Sequence, residues 1–530
     1  MRTPCDEAII RGSKVDVVKR TECERWILAA TVLGSSMAFI DGTVVNVALP
    51  ALQFTFHATV ADAQWVVESY GLFLSALILV GGSLGDSLGR RRIFIVGVAI
   101  FAVASAACGL ATTIRELVFA RSVQGIGAAL LVPGSLSIIS ASFDENTRGQ
   151  AIGTWSGFTA ITMAIGPVLG GWLIQHASWR WAFFLNIPLA TAVIVISLWR
   201  VPESRSSTAG KIDWLGAVTA TVGLGGLVVG LIESVEQGWR SPLVVASIVV
   251  AVVCLVAFVI VEERSESPMV PLELFKSRAF TGANLLTLFL YAAIGAFFFL
   301  YPMNLIQVHG YSATQAGAAS LPSIVLMFSL SRWAGGLVVR VGPRIPLVAG
   351  PLIVATGLVL FAMPSMQGHY WTTYFPAFLV LGFGLTVTVA PLTTVVMTSV
   401  DQERSGAASG INNAVARVAG VLAIAVLGII MVHAFGSRLE QSLASLRLPD
   451  PVVHQIKSQK SRLAALEAPA ELDQAAKKAL RAVVQNSFEF AFTVMLMISV
   501  ALAVMSSGIA WVMVGKKVTP PEGNNPALAN

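Results

Sequence analysis

The stretch Gly82-Ser83-Leu84-Gly85-Asp86-Ser87-Leu88-Gly89-Arg90-Arg91-Arg92 decides the fold. It is a short polar seam between two apolar runs, 65–85 and 93–111. Each run is long enough to cross a bilayer core of ~30 Å as a helix. The glycines allow close approach and a sharp turn, and consecutive arginines anchor the seam in water. Reading outward with the same ruler gives a chain of such runs. The first six are 27–49, 65–85, 93–111, 117–140, 151–174 and 182–199. Two more follow at 214–232 and 242–261, and the last six are 280–306, 315–338, 346–364, 371–395, 406–432 and 488–514. Lipid offers backbone polar groups no partner, so each run is expected to be helical. The fold class that follows is an all-α integral membrane protein.

Composition agrees. Of 530 residues, 55% are hydrophobic and only 12% charged, about half the ~25% charged residues of soluble domains. The net charge of +6 is scattered between apolar runs rather than gathered on one face, which argues against a nucleic-acid partner and for the lipid bilayer. Four cysteines are too few and too scattered for a disulfide framework. No metal-ligand spacing, P-loop or Ser/His/Asp arrangement occurs, so neither an enzyme nor a cofactor is expected. The lysine and arginine bias sets the orientation. The tail cations Arg2, Arg11, Lys14, Lys19, Arg20 and Arg25 share one side with Arg90, Arg91, Arg92, Arg200, Lys211, Arg404, Lys516 and Lys517. Short loops on the other side hold only Arg115, Arg180 and Arg240. Both termini are therefore expected in the cytoplasm, with the first run retained as a span and the protein in the cell's inner, cytoplasmic membrane. A long connector, 433–486, falls on the outer side. Leu439, Leu443 and Leu446, then Leu472, Ala476, Leu480 and Val483, recur there at helical spacing, which predicts amphipathic helices outside the membrane.

The chain also repeats itself. Gly335 leads to Gly342 as Gly82 leads to Gly89, each followed by a cation and a new run, but Asp86 is matched by Val339. Asp144-Glu145-Asn146-Thr147-Arg148-Gly149 is echoed by Asp401-Gln402-Glu403-Arg404-Ser405-Gly406. The expected organisation is a tail (1–25), a six-helix bundle (26–200), a two-helix insert (201–265), a second six-helix bundle (266–514, with the 433–486 connector) and a second tail (515–530). Parallel halves of this kind are an architecture of secondary transporters.

Several stretches carry a family resemblance, in order and at the right spans. The seam at 82–92 is one. Span four opens Leu117-Val118-Phe119-Ala120-Arg121-Ser122-Val123-Gln124-Gly125, span five holds Gly166-Pro167-Val168-Leu169-Gly170-Gly171, and span one holds Asp41-Gly42-Thr43-Val44-Val45-Asn46. Before span six stands Trp179-Arg180-Trp181-Ala182-Phe183-Phe184-Leu185-Asn186-Ile187-Pro188. Together these resemble the major facilitator superfamily, and within it the fourteen-span drug:proton antiporters. The resemblance implies a major facilitator fold with two inserted helices, usually a monomer, exporting small organic molecules such as drugs or antibiotics against protons. Two readings stay beside it: an exporter of one endogenous metabolite, lipid or siderophore, and a membrane sensor that moves nothing. Thr162 stands where the span-five motif has a further glycine. Acids are missing from the middle of spans nine to fourteen, which favours neutral, zwitterionic or anionic amphiphiles as the small-molecule substrate.

Charges inside a membrane are costly and face the bundle interior. Asp41, Glu68 and Arg121 are the candidates for proton coupling, and helix geometry places them at neighbouring depths in the first bundle. Gating candidates are Gly82, Asp86, Gly89 and Arg90 at the seam, Gln124 and Gly125 in span four, and Gly166, Pro167, Gly170 and Gly171 in span five. Small residues along one helical face let a second helix approach closely. Asn46, Tyr70, Trp155, Tyr291, Tyr301, Asn304 and Gln307 are candidates to line an apolar cavity with sparse polar groups.

Overall fold

The computed structural model describes residues 17–205, 213–266, 268–363, 369–400, 405–446, 448–469 and 471–516. Arg2, Arg11, Lys14, Lys211, residues 401–404 of the second echo and Lys517 lie outside them. Among the described residues, fourteen helices are long and apolar enough to cross a membrane: Glu22–Phe56, Val60–Leu88, Arg90–Leu110, Ile114–Ser142, Gln150–His176, Trp181–Arg200, Trp214–Gln237, Pro242–Arg264, Arg278–Val308, Ala313–Ser331, Arg344–Ala362, Tyr374–Thr398, Ala407–Leu443 and Gln474–Met513. They are called spans one to fourteen below.

Local chemistry sets the boundaries. Spans two, four and ten each open on a reciprocal cap: Thr59 with Asp62, Thr113 with Glu116, and Ser312 with Gln315. In each the hydroxyl and the acid or amide satisfy orphan backbone donors that lipid could not. Spans two and three are separated by Gly89 alone, at φ 118°. Its repeat partner Gly342 also has a positive φ, 78°. Both seams thus need a backbone that side-chain-bearing residues rarely adopt, and this explains why glycine recurs at both. Span ten is less regular than a single run. Helix Ala313–Ala319 gives way to Leu321–Gly335 at Leu321-Pro322, and a further turn, Leu337–Val341, follows. A proline there cannot continue the ladder.

The chain divides into two compact units. The first holds Met1–Met269, Phe298–Ser320 and Ile424–Phe492. In it, spans two and three pack on span four, and span one packs on spans five and six. The second unit holds Val270–Phe297, Leu321–Ala423 and Thr493–Asn530. Its core includes Phe297, Phe361 and Phe378, with ring centroids 4.7 to 6.2 Å apart. Its buried polar centre is neutral: Asn412 Nδ2 donates to Asn284 Oδ1 at 3.1 Å and to Thr287 Oγ1 at 2.7 Å.

The connector between spans thirteen and fourteen differs from the sequence reading. Leu439 and Leu443 belong to the unbroken helix Ser405–Leu443, of 39 residues, and Ala476, Leu480 and Val483 to Gln474–Met513, of 40 residues. At ~1.5 Å per residue each is about 60 Å long, twice the bilayer core. The helices continue because the apolar residues keep their helical spacing after mean hydropathy falls, and no proline intervenes before Pro449. Between them lie a short helix, Asp450–Ser458, and a 3-10 segment, Lys460–Ala465, that packs against spans one and two. Val452, Ile456, Leu463, Leu480 and Val484 are buried. This segment, 444–473, is called the cap.

Candidate functional site

Asp41 and Arg121 meet in the interior of the first unit, each 1% exposed. The Arg121 guanidinium donates to Asp41 Oδ2. Gln124, one turn along span four, accepts from Arg121 Nη1 at 2.7 Å and donates to Asp41 Oδ1 at 2.8 Å. Arg121 Nε donates to the Val66 carbonyl at 3.0 Å, and the guanidinium lies 4.3 Å from the Tyr70 ring centroid. Asn186 Nδ2 donates to Asp41 Oδ1 at 3.3 Å and to Ser105 Oγ at 2.9 Å. Ser105 Oγ in turn donates to the Phe183 carbonyl at 2.9 Å. One carboxylate thereby ties spans one, two, three, four and six together. A buried ion pair repays its desolvation only when further hydrogen bonds satisfy the remaining groups. Here Gln124, Asn186 and the Val66 carbonyl supply them.

Glu68 stands outside this network, contrary to the expected cluster of two acids and a base. It is 0% exposed, and neither carboxyl oxygen has a hydrogen-bond partner among the described residues. Gln64, one turn earlier on the same face of span two, donates to the Ile424 carbonyl of span thirteen at 2.7 Å. A carboxylate buried without a partner costs several kcal/mol. Asp41 and Glu68 are both acids in the interior, but only Asp41 is surrounded by donors.

The small residues work by proximity. A Cβ on Gly125 would stand 2.5 Å from the Tyr70 carbonyl oxygen, so span four seats on span two only through glycine. On span five, Gly166 faces Thr43 and Ile40 of span one, and Gly170 faces the Val44 side chain. Gly171 meets the Ala313 carbonyl at the start of span ten, and Gly317 meets the carbonyl of Pro167. Gly82 has only Pro133 near it, at an ordinary 3.7 Å.

At the seam, Arg90 Nε donates to Asp86 Oδ1 at 2.8 Å. Asp86 thus pairs locally, one turn away within the seam. Glu203, just past span six, escaped the sequence reading. Its Oε1 accepts from the Arg91 backbone N–H at 3.1 Å, and Oε2 lies 3.8 and 3.7 Å from Arg91 and Arg92. Arg91 Nη1 donates to the Val201 carbonyl, and the Arg90 N–H to the Ser204 carbonyl. The segment after span six is thus stitched across the seam, and an acid in a cation-rich segment was the available signal. Asn186 and Ser105 were also missed as site residues, since small polar groups in apolar runs resemble packing residues. Asn186 had been quoted only as part of the motif before span six.

The cavity-lining candidates are dispersed. Tyr70 lies under Arg121, its hydroxyl 3.4 Å from the Ala38 carbonyl. Trp155 Nε1 donates to Ser35 Oγ at 3.0 Å, fastening span five to span one. Tyr301 and Asn304 are buried, Tyr291 and Asn46 half-buried, and Asn46 Oδ1 has no partner among the described residues. Gln307 Nε2 donates to Gln53 Oε1 at 2.9 Å beside a cavity of about 380 Å³.

Comparison with known proteins agrees with this architecture. Residues 31–424 match the family model for the Major Facilitator Superfamily. The Multidrug resistance protein Stp of Mycobacterium tuberculosis is 35% identical over 80% of this chain and 79% of its own length. The Tetracenomycin C resistance and export protein of Streptomyces glaucescens is 34% identical over 80% and 78%. The Methylenomycin A resistance protein of Bacillus subtilis is 31% identical over 76% and 87%. Among solved structures, a bacterial homologue of the human lysosomal transporter Spinster superposes with a TM-score of 0.64 at 18% identity, covering 96% of this chain and all of the other, and supports the fold alone. The chain belongs to the major facilitator superfamily, as a multi-pass secondary transporter of small organic compounds of the multidrug-efflux type rather than an enzyme.

Proposed function

We propose that this protein is a proton-driven antiporter that exports amphiphilic organic compounds across a bacterial plasma membrane. In this reading it is a monomer with both termini in the cytoplasm, built from the bundles 26–200 and 266–514 and the insert 201–265. Glu68 carries the exchanged proton, and the Asp41–Arg121 pair is the fixed charge against which it is read. The observation that carries the reading is Glu68 itself, wholly buried with both oxygens unpartnered. Such a carboxyl is stable when neutral and costly when ionised unless water or a substrate group reaches it. Losing the proton therefore has to be coupled to opening the site. Asp41, by contrast, has its oxygens occupied by Arg121, Gln124 and Asn186. At the seam, Asp86, Glu203 and the three arginines hold the inner ends of spans two, three and six together while the transporter is closed on that side.

The named compounds of two relatives give a first panel: tetracenomycin C and methylenomycin A, with chloramphenicol as an unrelated neutral amide. Inside-out vesicles are loaded with acid, and compounds are added while a pH-sensitive dye is followed. Proton release on addition of a compound, abolished in Glu68→Gln, is the expected result. A gradient untouched by every compound would refute antiport. A response identical in Glu68→Gln would leave antiport standing and remove Glu68 from it.

A further inference from the structure

A second site lies at the end of the first unit remote from Glu22. The cavity of about 380 Å³ is walled on one side by Val47, Phe54, Ile174 and Ile306, and on the other by Ala465 and Glu467 of the cap. That volume falls within the range of about 300–1,000 Å³ typical of small-molecule sites. Gln53 and Gln307 also line it. Their mutual hydrogen bond leaves Gln53 Nε2 and Gln307 Oε1 buried and without a partner among the described residues. Whichever amide donates to the other, one amide nitrogen and one amide oxygen of the pair are left wholly unused. Orphaned buried polar groups are rare and costly, so two on adjacent side chains point to an absent partner. Backbone strain marks the same place. Among the described residues only His57 and Leu463 combine a side chain with positive φ, both at 51°. His57 lines the cavity and its Nδ1 lies 2.9 Å from Glu467 Oε1, while Leu463 sits in the 3-10 segment next to Arg462, another lining residue. Strained residues persist where the surrounding structure holds them, commonly at ligand clamps.

We infer that this cavity is a binding site for neutral amphiphiles bearing a secondary amide, with the cap as its outer wall. A secondary amide offers one acceptor and one donor, the complement of what Gln53 and Gln307 leave free. The apolar remainder of the ligand packs on Val47, Phe54, Ile174 and Ile306. The site faces the outside of the cell if the orientation proposed above holds, and would serve as the last station before release.

The test uses chloramphenicol, a neutral aromatic amide, as the probe. Ala51, half-buried in the cavity wall, is changed to cysteine in the otherwise unaltered chain. Lys457→Cys, on the exposed face of the cap helix, serves as control. Labelling by a membrane-impermeant maleimide is timed in intact cells and in inside-out vesicles, with the unaltered chain as blank. Chloramphenicol is expected to slow labelling of Ala51→Cys several-fold and to leave Lys457→Cys unchanged. Adding Gln53→Leu or Gln307→Leu should raise the half-protecting concentration about fivefold, the worth of one buried hydrogen bond. Labelling of Ala51→Cys that ignores chloramphenicol, or that fails from both faces, overturns the site. Protection equally strong in both leucine variants overturns the role of the amides. Labelling and protection found only in inside-out vesicles would uphold the site and refute the orientation instead.

Discussion

Replacing Asp41 by asparagine removes one charge from the centre of the first unit and nearly nothing else. Asparagine keeps the side-chain size and one acceptor oxygen, so Gln124 or Asn186 can still donate to it. Arg121 keeps the Val66 carbonyl and Gln124 Oε1 as acceptors. What it loses is its counter-charge, at a position 1% exposed. Removing one partner of a buried pair costs about 3–5 kcal/mol, because the other charge is left uncompensated. Arg121→Gln should cost a similar amount for the mirror reason. The double variant leaves no buried charge and should recover most of the loss, so a cycle of the four proteins should give a coupling energy at least as large as either single loss. Equilibrium unfolding in mixed detergent micelles, followed by helical circular dichroism, measures all four. If Asp41→Asn unfolds at the wild-type midpoint, the pair adds nothing to stability and the ion-pair reasoning is wrong. Strictly additive losses would refute it equally, since the two groups would then be acting separately.

Other expectations follow from the same geometry. Gly170→Ala drives a methyl into Val44 and should destabilise by about 1–3 kcal/mol; Val44→Ala in the same chain should restore both stability and transport, read by unfolding and by compound efflux. Gly89→Ala, at φ 118°, should cost more than about 1 kcal/mol, whereas Gly153→Ala, with nothing within 4 Å of the new methyl, should cost nothing measurable in the same unfolding assay. Glu203→Gln leaves Arg91 and Arg92 without their acid and, like Asp86→Asn, should lower efflux several-fold while the protein inserts in normal amount, checked by immunoblot of membranes against dye efflux.

The membrane architecture was legible because burial in lipid writes itself along the chain. A run such as 242–261 has only one physical use, and the helix Pro242–Arg264 follows it. The seam glycines were legible as a repeat, and their positive φ supplies the cause. The Asp41–Arg121 contact was legible as well, because two opposite charges at similar depth in one bundle have few other partners. Less could be read where packing decides. Glu68 was placed with them by depth alone, yet rotation about the helix axis separates it from the pair. Asn186 and Ser105 carry no periodic signal, since one amide or hydroxyl in an apolar helix looks the same whether it binds a carboxylate or its own backbone. The cap was misjudged in extent because hydropathy ends with the bilayer, whereas helix Ser405–Leu443 does not.

The central claim is that Glu68, not Asp41, carries the exchanged proton. It is tested most directly by reconstituting wild type and Glu68→Gln in liposomes and measuring two fluxes of one radiolabelled compound from the panel. Glutamine preserves the neutral form and its volume, so compound-for-compound exchange should continue at close to the wild-type rate. Accumulation driven by a proton gradient should vanish, and the residual flux should no longer vary with pH. Gradient-driven accumulation at the wild-type level in Glu68→Gln would contradict the account.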